Sequence, residues 1–277
     1  MNISYVIPCY NCEKWLAEAV RSIMETNFEP GDELIMVDDG STDDTGVISG
    51  NLLTKYGYEK NQVTHVHRVK NAGCGESRNV GNEVAIHDWI YAHDADNVLQ
   101  PHSVAALRKR AEKGDVDAVS PGAIWFFRGS VGNRVGAWEF KSHVPLEDFL
   151  SCHDLPTSSG NYLYKRSLWQ AVPHAEGVGA LEAWTWGLRI LMHGAKFATV
   201  PGTTYWHRQG IDSLWIRDNK TVDFNVVARK QMEPYLDRLD EPSKLRVSSP
   251  NWYTDLSRYP LKLESFVPSQ RLGICEK

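Results

Sequence analysis

The chain has 277 residues, 42% of them hydrophobic and 23% charged, with a formal net charge of -5. That is room for one large α/β domain and a tail, in an ordinary globular composition. The mild negative charge gives no general electrostatic case for nucleic-acid binding.

Ile3 to Pro8 is an apolar strand that runs into Pro8-Cys9-Tyr10-Asn11. Trp15, Leu16, Ala19, Val20 and Ile23 then recur at helical spacing. Leu34 to Val37 is a second strand, ending in Asp38-Asp39-Gly40-Ser41-Thr42-Asp43-Asp44-Thr45. Asp43 or Asp44 can cap a helix containing Val47, Ile48, Leu52 and Leu53. Val63 to Val69 reads as a third strand, and Cys74 to Ile86 as a helix with Val80, Val84 and Ala85 inward. A short apolar run, Trp89-Ile90-Tyr91-Ala92, stops at Asp94-Ala95-Asp96. Pro101 opens a helix with Val104, Leu107 and Ala111 on one side. This alternation implies a mostly parallel central sheet with helices on both faces.

The second half changes character. Ala118 to Arg128 reads as strand broken at Pro121-Gly122, and Gly129 to Pro145 as irregular. Asn161 to Lys165 reads as a short strand, with Ser167 capping a short helix after it. Glu182 to His193 is a helix that Gly194 ends. Lys196 to Val200 and Thr204 to His207 read as two short strands. Val226, Val227, Met232, Tyr235 and Leu236 point to one helix packed on the body. The expected division is a domain over 1–217, with a ligand-binding half at 1–121 and an acceptor half at 122–217. Residues 218–277 form an extension packed on it.

Polar clusters at the carboxyl ends of successive strands are where an open α/β sheet binds its ligand. Asp94 and Asp96, two apart, leave one pleat face together, and such a pair needs a cation. Oxygen ligands favour Mg²⁺ or Mn²⁺. Asp-x-Asp alone is also common in solvated turns. Here it follows Pro8-Cys9-Tyr10-Asn11, Asp38-Asp39 and Asn71-Ala72-Gly73-Cys74-Gly75-Glu76-Ser77-Arg78-Asn79-Val80-Gly81. In order and spacing these segments resemble the GT-A glycosyltransferases, specifically the large family 2 of inverting enzymes. The likeness is strong from Ile3 to Asp96 and weaker to about Ser213.

The resemblance implies the GT-A nucleotide-diphospho-sugar transferase fold. It also implies transfer of a sugar from a nucleoside-diphosphate sugar, UDP-linked by preference, to a hydroxyl of a saccharide or glycoconjugate. Pro8, Tyr10, Asp38 and Asp39 would hold the uridine, with Asp39 accepting the uracil N–H. Asp38 reads equally as a buried turn residue. Gly73 lets backbone approach the ligand. Arg78 reaches base, phosphate or the Asp94 carboxylate, or serves as a salt bridge within the fold. By resemblance Asp96 ligates the metal and Asp94 contacts the ribose or a metal-bound water, neutralising the leaving diphosphate.

Leu181-Glu182-Ala183-Trp184-Thr185-Trp186-Gly187-Leu188-Arg189 resembles the family's acidic-pair segment, with Ala183 where the second acid stands. Glu182 is therefore the expected general base. Otherwise another acid, Asp154 or Asp212, takes the role, or catalysis is lost. One of Trp184 and Trp186 is the expected acceptor platform, although among ten tryptophans most must be core. His207 is a candidate further metal ligand or a structural histidine, and Arg208 a candidate diphosphate contact.

A dinucleotide dehydrogenase would need Gly-x-Gly-x-x-Gly after the first strand, where Pro8-Cys9-Tyr10-Asn11 stands. The serious alternative is a catalytically impaired nucleotide-sugar-binding protein of the same fold, to which Ala183 points. Cys9, Cys12, Cys74, Cys152 and Cys275 are odd in number and irregularly spaced, as free thiols in a reducing compartment are. No segment is apolar enough to span a bilayer, and no basic region with an apolar core precedes the first strand. A cytoplasmic protein is expected, peripheral to a membrane at most.

Overall fold

The computed structural model describes residues 1–57, 63–151, 156, 159–210, 214–218, 220–256 and 267–268. Asp154, Asp212, Ser213, Cys152 and Cys275 lie outside the described residues. The strands are β1 (Ile3–Cys9), β2 (Glu33–Asp38), β3 (Val63–His67), β4 (Trp89–Ala92), β5 (Val98–Leu99), β6 (Ala118–Arg128), β7 (Arg134–Glu139), β8 (Leu163–Lys165), β9 (Phe197–Gln209) and β10 (Val267–Pro268). The helices used below are α1 (Leu16–Met24), α2 (Thr45–Leu52), α3 (Cys74–Val84), α4 (Ser103–Ala111), α5 (Leu146–Ser151), α6 (Arg166–Ala171) and α7 (Glu182–Met192).

β3, β2, β1 and β4 pair side by side in parallel. β1 and β2 are buried almost throughout, as near-continuous apolar parallel strands are when both faces are covered. Side chains of β1 alternate between the two covers. Tyr5 donates to the Asn27 carbonyl at 2.8 Å, just past α1. On the other face Ser4 donates to Glu33 at 2.5 Å, and Glu33 accepts from the Ile86 amide at 2.7 Å, just past α3. β8 then joins β4 antiparallel, and β6 joins β8 antiparallel. Two reversals restore the original direction, and β9 runs parallel to β6. The carboxyl ends of β1, β2, β4, β6 and β9 therefore lie along one edge. Parallel pairing predominates, as expected for GT-A.

Several local expectations are corrected. β6 passes through Pro121-Gly122 unbroken, absorbing it as a register shift against β9. The two expected strands around Pro201-Gly202 are one, β9. The stretch after Gly129 contains β7, which pairs with β6. Asp43 accepts from the Thr45 amide at 3.0 Å at the start of α2, whereas Asp44 makes no side-chain cap. Val47 faces solvent. Of the residues expected inward from this helix, Ala85 is buried and Val80 packs half-buried on the core, but Val84 is exposed, and Gly75, Ser77, Arg78, Gly81 and Asn82 of α3 are buried. Lys165, not Ser167, precedes α6. The helix expected around Val226 to Leu236 is α9 (Phe224–Met232) with the helical turn after it; the short α8 (Leu214–Asp218) precedes it, and α10 (Glu241–Val247) and α11 (Trp252–Leu256) follow it among the described residues.

One buried ion pair ties the chain start to α4. Asp32, fully enclosed, accepts from the Ile3 amide at 2.8 Å, the Glu29 amide at 2.9 Å and Arg108 at 2.7 and 3.1 Å. Removing one member leaves a buried charge unpaired. Asp32→Ala should lower the unfolding free energy by about 3–5 kcal/mol, read from urea denaturation. A loss under about 1 kcal/mol would mean that Arg108 finds solvent or another acid.

Candidate active site

The edge begins with Asp38 and Asp39. The Asp39 amide donates to the Cys9 carbonyl at 2.8 Å, and the Asp38 carbonyl accepts from the Arg68 amide at 2.8 Å. Both aspartates are thus pinned between the ends of β1 and β3. The Asp39 carboxylate accepts from Asn71 Nδ2 at 3.0 Å, the Ala72 amide at 3.1 Å and the Gly73 amide at 2.8 Å. Arg68 stands 3.5 Å away. The carboxylate organises the 71–73 turn. Asp38 accepts from the Ser41 amide at 3.0 Å and meets His67 Nδ1 at 3.1 Å, which is the turn-residue reading. Gly73 has φ of 102°, a conformation that favours glycine, and space stands open where a Cβ would lie. Pro8 is half-buried and Tyr10 is 40% exposed, so the Tyr10 ring is available at the mouth.

The centre of the site is a buried chain of charges. Arg78, 2% exposed, donates a short hydrogen bond to Asp94 and lies 3.4 Å from Glu182. Among protein groups it meets the Asp94 carboxylate, one of the partners expected for it. A Cβ at Gly160 would overlap the Arg78 guanidinium, so glycine makes its seat. Asn161 and Asp94 bond reciprocally: the Asp94 amide donates to Asn161 Oδ1 at 2.9 Å, and Asn161 Nδ2 donates to Asp94 at 2.8 Å. Burial works to raise the Asp94 carboxyl, but Arg78 and Asn161 outweigh it and hold it below its usual range.

Asp96 differs. Burial, then the neighbouring Asp94 charge, push its carboxyl up to about 7. Among the described residues no side chain donates to it. Arg208, placed to oppose that rise, uses its Nε on the Asp96 carbonyl at 3.0 Å. Its other nitrogens reach Gly129 and Glu18, over the Trp15 and Phe127 rings. So engaged, Arg208 is a wall residue, not a free diphosphate contact. His207 is half-buried, edge-on to Phe126 at 5.5 Å. Burial lowers its pKa and the Asp94 charge opposes this. No three His, Cys, Asp or Glu side chains among the described residues converge as a metal cage.

On the acceptor side Glu182 is 4% exposed, and its two oxygens meet His174 and Arg78. Burial works to raise its carboxyl, but Arg78 and His174 hold it below the usual range. The expected base is thus enclosed, with both carboxylate oxygens engaged within the protein. Ala183 faces a small cavity together with Arg78, Gly160, Tyr162 and Trp186. The acceptor-platform expectation is corrected for both tryptophans. Trp184 (2% exposed) packs on Phe149, Trp252 and Tyr253, and Trp186 (1% exposed) stacks on His174 and Tyr162. Their apolar area is the core that seats α7.

Asn161 and His174 were not among the expected site residues. His174 is positioned by Asn79, which accepts from the His174 amide at 3.0 Å and donates to its carbonyl at 3.1 Å. The Ser77-Arg78-Asn79 segment was the available signal, since every one of its side chains turns inward or bonds across. Cys9, Cys12 and Cys74 are free thiols.

The fold and this edge define a GT-A glycosyltransferase scaffold. The chain belongs to glycosyl transferase family 2, a family of transferases whose model matches residues 4–172. The glycosyltransferase GlyG of Streptococcus pneumoniae serotype 4 is 31% identical over 147 residues, 53% of this chain and 45% of that protein. TarS of Staphylococcus aureus, a poly(ribitol-phosphate) β-N-acetylglucosaminyltransferase, is 25% identical over 169 residues, 61% of this chain and 28% of that protein. The matched stretch spans less than half the length of these curated relatives. Among solved structures, TarS 1-349 in complex with UDP-GlcNAc superposes with a TM-score of 0.70 at 19% identity, over 93% of this chain and 72% of that one. The mannosyltransferase PcManGT from Pyrobaculum calidifontis, in complex with GDP-Man and Mn²⁺, gives 0.60 at 17% identity, over 91% and 69%. No helix among the described residues is long and apolar enough to cross a membrane.

The depressed Glu182 carboxyl has a pH consequence. Its stabilising charge is fully present above the unfolded value near 4.3 and is lost as pH falls through the lower folded value. Glu182→Gln should cost about 3–5 kcal/mol at pH 7, and its deficit should shrink below pH ~4. Urea melts across that range check it; a deficit independent of pH would leave the pairing with Arg78 without weight.

Proposed function

We propose that this chain transfers a glycosyl group from a nucleoside-diphosphate sugar, UDP-linked by preference, to a hydroxyl of a saccharide or glycoconjugate. One observation carries the reading. Of two carboxylates at the strand end, Asp94 is neutralised by Arg78 and Asp96 by no side chain among the described residues. A carboxyl without a cationic partner at a ligand-binding edge is where a cation arriving with the ligand would draw it into the ionised form.

A divalent ion held by Asp96 and by the ligand's own phosphates fits this donor set better than a resident cage. Mg²⁺ in particular is commonly bound by one or two carboxylates plus substrate phosphates. Asp94 and His207 would flank it. When bound, Mn²⁺ or Mg²⁺ would neutralise charge gathering on the leaving diphosphate. The UDP-GlcNAc and the GDP-Man with Mn²⁺ in the neighbouring structures support a sugar-nucleotide ligand. Pro8 and Tyr10 line the base side, and Gly73 lets the 71–73 backbone, drawn in by Asp39, approach the ligand.

In the transfer, the acceptor oxygen bonds to the anomeric carbon as the bond to the diphosphate oxygen breaks. The electron pair leaves with the diphosphate, and the hydroxyl proton passes to a base. One displacement inverts the centre. We assign Glu182 to holding Arg78, and through it Asp94, in place. A second reading, nucleotide-sugar binding with impaired transfer, is favoured by Ala183, which stands beside Arg78 where the resembling segment has its second acid.

Asp96→Asn should stay folded and lose more than tenfold in Mn²⁺-dependent UDP affinity, at least about 1.4 kcal/mol by titration calorimetry. Equal affinity with Mn²⁺ present sinks the donor reading. NMR of the product from an α-linked UDP-sugar should show a β-linkage; an α-linkage contradicts the single displacement. Glu182 and Ala183 separate the two readings of proton transfer. A general base contributes about 10² to 10⁴-fold, so a base at Glu182 would make Glu182→Gln lose that rate at unchanged UDP affinity. An anchor makes Glu182→Gln lose UDP affinity as well. If the missing acid limits transfer, Ala183→Asp should raise turnover by about tenfold or more. No gain there would place the base elsewhere.

A further inference from the structure

We infer that Trp138 is the stacking platform for the acceptor saccharide, an inference that rests on the transferase reading above. Val119 of β6 and Tyr91 of β4 both pair with Leu163, so they stand at one level of the sheet. β4 ends at Ala92, whereas β6 runs on to Arg128 beside β9. The upper parts of β6, β7 and β9 thus form a wall rising next to Asp94 and Asp96.

Register fixes which side chains share a face of that wall. Ile124 pairs with Trp138 on one side and Tyr205 on the other, and Phe126 pairs with His207. With a two-residue alternation, Trp138, Phe126, Tyr205 and His207 project from the same face. Phe126 lies edge-on to Trp138 at 4.9 Å and to His207 at 5.5 Å. Next to His207, the Arg208 amide donates to Asn97 Oδ1 at 3.2 Å and Arg208 Nε to the Asp96 carbonyl at 3.0 Å, so this end of β9 stands beside the Asp94–Asp96 turn. A stripe of rings therefore leads from the carboxylates outward to Trp138.

Exposure then separates the members. Phe126 and Tyr205 are buried and form the backing, whereas Trp138 and His207 are half-buried. The Trp138 indole N–H has no hydrogen-bond partner among the described residues. Trp125, on the opposite face of β6, is covered by the Arg134 guanidinium at 4.1 Å. Trp184 and Trp186 are closed in the core. Trp138 alone among these joins a partly open indole to the carboxylate edge. A flat, rigid ring with a polar rim suits a pyranose: the C–H face covers the ring while a hydroxyl meets the indole N–H. The acceptor class is a pyranoside with an unbroken axial C–H face, as β-glucosides and β-N-acetylglucosaminides have.

The test titrates methyl β-D-glucopyranoside and methyl β-D-N-acetylglucosaminide into protein carrying ¹⁵N-labelled tryptophan, with Trp138→Phe assigning the indole signal. One glycoside should shift the Trp138 signal and leave those of Trp184 and Trp186 in place. Trp138→Leu keeps apolar bulk and removes the flat face, so it should weaken that glycoside about fivefold or more. Trp138→Phe should lose less, and Trp125→Ala should stay within about twofold of wild type. UDP affinity with Mn²⁺, unchanged in each variant, reports an intact fold. A Trp138 signal that stays still, wild-type affinity in Trp138→Leu, or no binding of either glycoside overturns the inference. Absent UDP binding in the wild type, with the glycoside results intact, overturns the transferase reading and with it the acceptor role, and leaves Trp138 as a saccharide-binding platform alone.

Discussion

Everything at the carboxyl edge hangs on Arg78. A guanidinium taken out of water costs several kcal/mol unless good partners replace its hydration. Here Asp94 comes from the end of β4 and Glu182 from the start of α7, so one side chain joins the nucleotide-binding strands to the acceptor-side helix. The dependence is mutual. Without Arg78, the buried Glu182 and the half-buried Asp94 would be two carboxylates of like charge with no guanidinium between them, and His174 would remain the partner of Glu182. The planar fork also matters, because it meets two acids from opposite sides in fixed geometry, which a lysine cannot do. Helix α3 bends its composition to this purpose. Its inward face is Gly75, Ser77, Arg78, Gly81 and Asn82, which accounts for the outward Val84.

The antiparallel β8 is what lets that edge become a cleft instead of a flat rim. It is only three residues long, yet it reverses the chain direction twice across its two neighbours. β6 and β9 can then rise past the end of β4 with their carboxyl ends toward the site. Pairing resumes after Pro121-Gly122 and Pro201-Gly202 with a shifted register, because β9 spends four residues from Val200 to Thr204 where β6 spends two from Pro121 to Ala123.

The strand ends were legible in the sequence because β1, β2 and β4 are apolar runs stopped by polar residues, and alternation with helices forces them parallel. That put Pro8, Asp38, Asp39, Asp94 and Asp96 on one edge. Where a carboxylate points was not legible. Asp39 turns into the amides of 72 and 73, a choice made by backbone geometry that no spacing encodes. The partners of Asp94 and Glu182 were equally hidden: Asn161 lies 67 residues from Asp94, and His174 follows Pro173 in a segment with no period. Tryptophan identity misled for a related reason. A ring at a helix start near the site reads as a platform, but α7 is seated by its aromatic residues, and Trp184 and Trp186 are what seat it. β7 was missed because a glycine-rich stretch carries little apolar signal even where it pairs.

Asp94 and Asp96 show how position divides labour between identical residues. They are two apart on one strand end, yet one is drawn toward ionisation by Arg78 and the other pushed away from it by burial and by its neighbour's charge. If both were paired, the edge would be electrostatically complete and would have little to offer a cation. If neither were, two repelling carboxylates would destabilise the strand end. Neutralising one and leaving one keeps the cost to a single strained group, placed where an incoming cation relieves it. The free protein is then less stable at this point than it could be, and binding recovers the difference, as strain concentrated at a functional site implies. Arg78 sets this asymmetry, since it is closer to Asp94 than any cation is to Asp96. The same side chain that holds the two halves together therefore also decides which aspartate waits for the ligand.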